Sequence, residues 1–190
     1  MTMKMNVCMT VAALIFCVVA SGCANNRDLI AKTSIATRSD VFTEAVNSGV
    51  QTGKAIVDFS FVVKSNSYYL MGTYVKHTAP PYRVYLNIDG QTVVLEAEPV
   101  LEDKSPIDSS IPESGIGWKY DFSRRITLAP GKHKMTIALP VNDVIVEQEI
   151  VLREGKNTIV LKPVYKKKAL RPYNGENFVA GVKTLEISVQ

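Results

Sequence analysis

From Lys54 onward the chain alternates with a period of two. Val57, Phe59, Phe61 and Val63 are separated by Asp58, Ser60 and Val62. Successive side chains of a strand point to opposite faces, so this spacing fits a strand with one buried face and does not fit a helix. The pattern returns at Tyr82, Val84, Leu86 and Ile88, at Trp118, Tyr120 and Phe122, at Met135, Ile137 and Leu139, and at Leu185, Ile187 and Val189. Turn signals separate these runs: Lys64-Ser65-Asn66-Ser67 before Tyr68–Val75, Ala129-Pro130-Gly131-Lys132, Asn142-Asp143 before Val144–Leu152, and Glu154-Gly155-Lys156 before Thr158–Leu161. Asp89-Gly90 is the sharpest of them, because both residue types tolerate the positive φ of a type I′ turn, and Thr92–Ala97 then runs back as the second hairpin strand. Many short strands joined by turns, without a long helix, predict an all-β fold, an antiparallel β-sandwich.

The sandwich domain is expected over 40–190. Its start has one short helix as a candidate, over Asp40–Gly49, with Ser39 or Asp40 as N-cap and Val41, Phe42, Ala45 and Val46 at helical spacing. Residues 101–117, rich in acid, Ser, Pro and Gly, are expected to form a long loop. The stretch before the domain, Ala24 to Ser39, is polar and has no sustained period, so residues 23–39 are expected to act as an extended tether.

Residues 1–22 differ from the rest. Lys4 precedes an apolar run from Val7 to Ala20 that is shorter than the ~20 residues needed to span a bilayer, the anatomy of a signal peptide. The run ends in Ala20-Ser21-Gly22-Cys23, which resembles the lipobox of bacterial lipoprotein precursors, although Leu is commoner than Ala at its first position. The resemblance covers only this targeting segment. It implies cleavage before Cys23, a diacylglycerol thioether on its sulfur and acylation of the new amino terminus. It also implies a cell-envelope location, lipid-anchored, at the outer membrane facing periplasm or surface if the cell is Gram-negative, because Ala24 stands where inner-membrane lipoproteins carry Asp.

All three cysteines, Cys8, Cys17 and Cys23, lie in or at the end of this segment, so the mature domain is expected to be held by packing without disulfides. The net charge of +4 is too mild to argue for nucleic acid, and export argues against it. A second resemblance rests on Leu128-Ala129-Pro130-Gly131-Lys132-His133, followed by alternation and Glu154-Gly155, which is similar to the Pro-Gly-x-His segment of PEGA-type modules. With Val84–Gly90 as the earlier strand it covers 84–165. The Gly-x-Pro element of those modules is missing, and the acidic loop stands in its place. The resemblance implies a non-catalytic β-sandwich module; an immunoglobulin-like sandwich is the other architecture the pattern fits.

No catalytic constellation is legible. His77 and His133 lie beside turns, read as solvated, and share no metal-ligand spacing, and Glu113-Ser114-Gly115-Ile116-Gly117 lacks the strand-to-helix setting of a nucleophile elbow. The acidic segment Glu102–Ser110 does not follow the spacing of a calcium loop. No metal and no cofactor is therefore expected, and no enzyme. Two sets of residues remain as binding candidates. Lys166, Lys167, Lys168 and Arg171 form a basic cluster suited to anionic lipid or glycan, or to a protective strand edge. Tyr68, Tyr69, Tyr74, Tyr82 and Tyr85 concentrate in neighbouring strands, where exposed rings would stack on sugars or a protein partner. The expected function is a membrane-anchored, non-catalytic binding or structural module of the envelope, with an envelope protein as partner; the alternative is a glycan- or small-ligand-binding lipoprotein using the tyrosines, with cell-wall glycan as partner.

Overall fold

The computed structural model of the protein describes residues 25–45, 52–66, 81–102, 113–166, 178 and 181–190. Among these residues ten strands form two packed sheets: β1 (Phe42–Glu44), β2 (Ala55–Asn66), β3 (Tyr82–Ile88), β4 (Gln91–Ala97), β5 (Val100–Glu102), β6 (Gly117–Leu128), β7 (Gly131–Leu139), β8 (Val144–Leu152), β9 (Gly155–Tyr165) and β10 (Val182–Val189). The larger sheet has the order β1-β6-β2-β9-β10, with β5 pairing the other half of the β6 edge, and the smaller one has the order β4-β3-β7-β8. The protein is an all-β sandwich.

The alternation predicts the core correctly. Val57, Phe59, Phe61 and Val63 of β2 are buried with Phe122, Ile126 and Leu128 of β6, facing Val84, Leu86 and Ile88 of β3 and Met135, Ile137 and Leu139 of β7. Phe61 stacks on its cross-strand partner Phe122 with ring centroids 4.5 Å apart, and Tyr82 joins the sheets by meeting Phe122 edge-on at 6.0 Å. Asp89 (φ 47°) and Gly90 (φ 94°) both take the positive φ of the tight hairpin between β3 and β4.

Two expectations are corrected, while the antiparallel sandwich stands with one parallel pair, β2 with β9 over Ala55–Ser60 and Gly155–Val160. The β2–β9 pairing is between strands far apart in sequence, and alternation reports faces, not strand direction. Phe42–Glu44 is a strand pairing Ile126–Leu128, not part of a helix over Asp40–Gly49. The Gln91 side chain helps hold it there, Oε1 accepting from the Val41 and Phe42 amides and Nε2 donating to the Phe42 carbonyl.

Finally, the expected tether is folded. Asn25–Ser34 form a helix, α1, which crosses the outer face of the smaller sheet. Its Ile30 and Thr33 are buried, as are Thr136 and Ala138 on the outward side of β7. The Thr33 carbonyl accepts a hydrogen bond from Thr92 on the same face. Beyond the helix, the Thr37 and Arg38 amides donate to the Gly90 carbonyl at 2.8 and 3.2 Å. The chain therefore runs along the sheet from the start of β8, where the Asn26 side chain meets the Asp143 carbonyl at 3.4 Å, to the β3–β4 turn.

Candidate functional site

The register fixes which segments share an end of the sandwich. Asn66 of β2 lies opposite Gly117 of β6, Tyr82 of β3 opposite Ala97 of β4, Leu139 of β7 opposite Val144 of β8, and Tyr165 of β9 opposite Val182 of β10. The described flanks of segments 67–80, 103–112 and 167–177 thus lie at one end of the sandwich. The described turns at the opposite end, 89–90, 129–130 and 153–154, are short. Loops carried by a rigid scaffold are where binding residues concentrate, and this loop end is the candidate site.

Its centre is Lys64. Alternation puts Lys64 on the solvent side of β2, yet its side chain is only 1% exposed. The ammonium has three donors and each has an acceptor: Glu102 Oε2 at 2.6 Å, the Glu113 carbonyl at 2.7 Å and the Gly115 carbonyl at 2.5 Å. The Phe178 ring centroid lies 5.5 Å from Nζ. Lys64 therefore ties together both flanks of segment 103–112 and the residue that closes segment 167–177. Gly117 makes the closeness possible, because a Cβ there would stand 2.6 Å from the Ser65 carbonyl, 2.9 Å from the Phe178 ring and 3.0 Å from Lys64 Cε. Sequence reading takes Lys64 as a turn residue. The paired Gly115 and Gly117 are the only sequence trace of chain passing closely over it.

Beneath this hub lies a tyrosine group. The Tyr165 hydroxyl accepts from the Lys64 amide at 3.0 Å, where β2 has parted from β9, and Tyr165 meets Phe178 edge-on at 6.3 Å. Tyr82 and Tyr120 have centroids 5.2 Å apart, and the Tyr82 hydroxyl donates to Asn142. Burial, with the neighbouring Tyr165 and Tyr120, pushes the Tyr82 phenol well above its ordinary range, and burial does the same to Tyr165. These hydroxyls stay neutral hydrogen-bonding groups.

Tyr82 is thereby corrected as a ligand-stacking residue: it is a core residue, 5% exposed, between the two sheets. Tyr85 points to the opposite face, the one α1 crosses, and is half-buried. Lys166 is exposed at the end of β9, its amide donating to the Gly181 carbonyl at 2.8 Å. Cys23, Tyr68, Tyr69, Tyr74, Lys167, Lys168 and Arg171 lie outside the described residues. His133, read from sequence as solvated, is instead wedged at the far end, with Nδ1 2.7 Å from Asp89 Oδ2 and Nε2 2.9 Å from the Ala129 carbonyl.

Away from both ends, a shallow open depression of about 580 Å³ is lined by Glu44, Asp58, Ser60, Ser123, Arg124 and Arg125. Its charges cancel pairwise, Arg124 with Glu44 and Arg125 in a two-point contact with Asp58 at 2.5 and 2.9 Å. The Arg125 hydrogen bond holds the Asp58 carboxyl below the ordinary carboxylate range against the opposing effect of its burial. Among the described residues no group of three or more His, Cys, Asp or Glu stands together as metal ligands, and no helix is long and apolar enough to cross a membrane. No protein-family model, no curated protein and no solved structure matches this chain.

Proposed function

We propose that this chain is a lipid-anchored lipoprotein of the bacterial envelope whose sandwich acts as a non-catalytic binding or structural module through its loop end. The observation that carries the reading is the boundary at Cys23. The lipobox-like Ala20-Ser21-Gly22-Cys23 ends two residues before α1 begins at Asn25, so cleavage before Cys23 removes the apolar segment and leaves every described element intact. The buried polar groups of the loop end support a binding surface over a catalytic one. Lys64 has all three protons engaged, and a saturated ammonium has no lone pair to act as nucleophile or base. The likeness of 84–165 to PEGA-type modules is kept as part of this proposal, as is an outer-membrane location.

Glycan or small-ligand binding is the alternative, now resting on Tyr68, Tyr69 and Tyr74 of segment 67–80, which leaves the sandwich at the same end. The test is the intact mass of the membrane-extracted protein with Cys23→Ser beside it. The wild type should begin at Cys23 and carry the added mass of its acyl chains, and the serine variant should leave the membrane fraction or remain uncleaved. Two or more chains hold stably, since each buried methylene contributes about 0.8 kcal/mol. An unmodified Cys23 would overturn the reading.

A further inference from the structure

We infer that the loop end of the sandwich faces the phospholipid surface and lies against it, with the Asp89-Gly90 and Pro130-Gly131 turns directed away. The inference rests on the lipoprotein reading of Cys23 and extends it from an anchor to an orientation. A free tether over 23–39 would let the domain stand some 50 Å from the membrane and rotate at will. Helix α1 removes that freedom. The chain is fastened to the fold from Asn26, which meets Asp143, through Ile30 and Thr33, to Thr37 and Arg38 at the far turn. Asn26 is three residue steps from Cys23, a distance of at most about 11 Å. The headgroup zone of one leaflet is itself roughly 5–8 Å deep. The end of the molecule that carries Asn26 is therefore held at the depth of the headgroups.

What stands at that end fits such a surface. The 3-10 turn Pro140–Asn142 projects there, and its Val141 is 68% exposed, the largest exposure among the described large apolar side chains. A Cβ on Gly181 would lie 2.9 Å from the Asn142 amide, and Gly181 in turn accepts the Lys166 amide. The start of the basic run thus lies beside the same turn. The described charges of this end are mixed, with Arg27, Lys64, Lys119, Lys166 and Lys183 alongside Asp28, Glu98, Glu102, Glu113 and Asp143. The short link, not net charge, sets the orientation, and the cations add to it only where the lipid is anionic. A patch that adds an exposed valine and an adjoining lysine to the acyl anchor gives the domain a contact of its own with the lipid surface.

The strand β7 supplies a ruler for the test. Val141 stands two residues past its last residue, Leu139, and Lys132 is its second residue, so the two positions are separated by roughly 25 Å along the strand direction. Both side chains are exposed, and the mature chain has no thiol besides Cys23, so Val141→Cys and Lys132→Cys each accept one fluorophore. The full-length lipoproteins are reconstituted into phosphatidylcholine vesicles containing a lipid with a nitroxide on its headgroup. The label at 141 should be quenched severalfold more than the label at 132. Inserting ten Gly/Ser residues between Ala24 and Asn25 should abolish the difference. N-terminal mass is read on the same samples. An acylated Cys23 with equal quenching at the two positions, or with quenching unchanged by the insertion, overturns the orientation alone; an unacylated Cys23 overturns the anchor and the orientation together.

Discussion

Replacing Lys64 by methionine keeps an unbranched apolar stem and removes the ammonium group, with its charge and its three protons. The Gly115 carbonyl is then left buried without a donor, the Glu113 carbonyl loses its partner, and Glu102 loses its cation. Breaking a fully buried ion pair from one side costs about 3–5 kcal/mol. Glu102 is 34% exposed and can turn to water, which lowers its share. Each stranded carbonyl costs about 1–3 kcal/mol, less where it can rehydrate. The expected loss is about 2–4 kcal/mol, a large part of the 5–15 kcal/mol that holds a domain of this size. Trp118 is the only tryptophan and pairs with Ser65 beside the hub, so urea unfolding followed by its fluorescence reports on the site directly. Trypsin should also cut Lys64→Met faster at Lys104, between the two flanks that Lys64 joins. A variant within 0.5 kcal/mol of wild type, with unchanged cleavage, would refute the assignment of Lys64 as the residue that organises this end.

Two further outcomes follow from geometry elsewhere. Gly90→Ala places a Cβ at φ +94° and 2.5 Å from Thr37 Oγ1, so it should lower stability by about 1–3 kcal/mol and weaken docking of the segment after α1, seen as faster amide exchange at Thr37 and Arg38. Asp58 has a folded-state pKa below its ordinary 3.8, chiefly through the Arg125 hydrogen bond, so its contribution is present above that value and lost as pH falls through the folded one. The urea midpoint should therefore drop less between pH 6 and pH 3 in Asp58→Asn than in wild type, and an equal drop would show that the pair does not contribute.

The strands were legible because each buries one face, and burial of one face is what a period of two records. The turn at Asp89-Gly90 was legible for a different reason, since few residues accept positive φ at two successive positions. Helix α1 was not legible. Asn25–Ser34 has Leu29 and Ile30 as its only large apolar residues, and its stability comes from seating Ile30 and Thr33 on a sheet face assembled more than fifty residues later in the chain. Lys64 was hidden for the converse reason: its own strand places it outward, and burial comes from segments around Gly115 and Phe178 that local pattern cannot locate. Tyr82 shows the limit of counting aromatics, because its inward register made it core while Tyr85, three residues away in the same run, turned outward.

The two ends of the sandwich are built differently. At the far end, side chains close every described turn. Asp89 accepts the Lys134 amide and meets His133, Gly90 receives the chain after α1, and the Asn157 side chain bonds Arg153 and Gly155 across the β8–β9 turn. Short turns held this way leave little backbone free to contact another molecule. At the other end Lys64 gathers Glu102, the carbonyls of Glu113 and Gly115, and Phe178 around one buried ammonium. Lys166 is exposed and stands outside this packing, so Lys166→Ala should leave the unfolding free energy nearly untouched while lowering any binding to an anionic lipid surface.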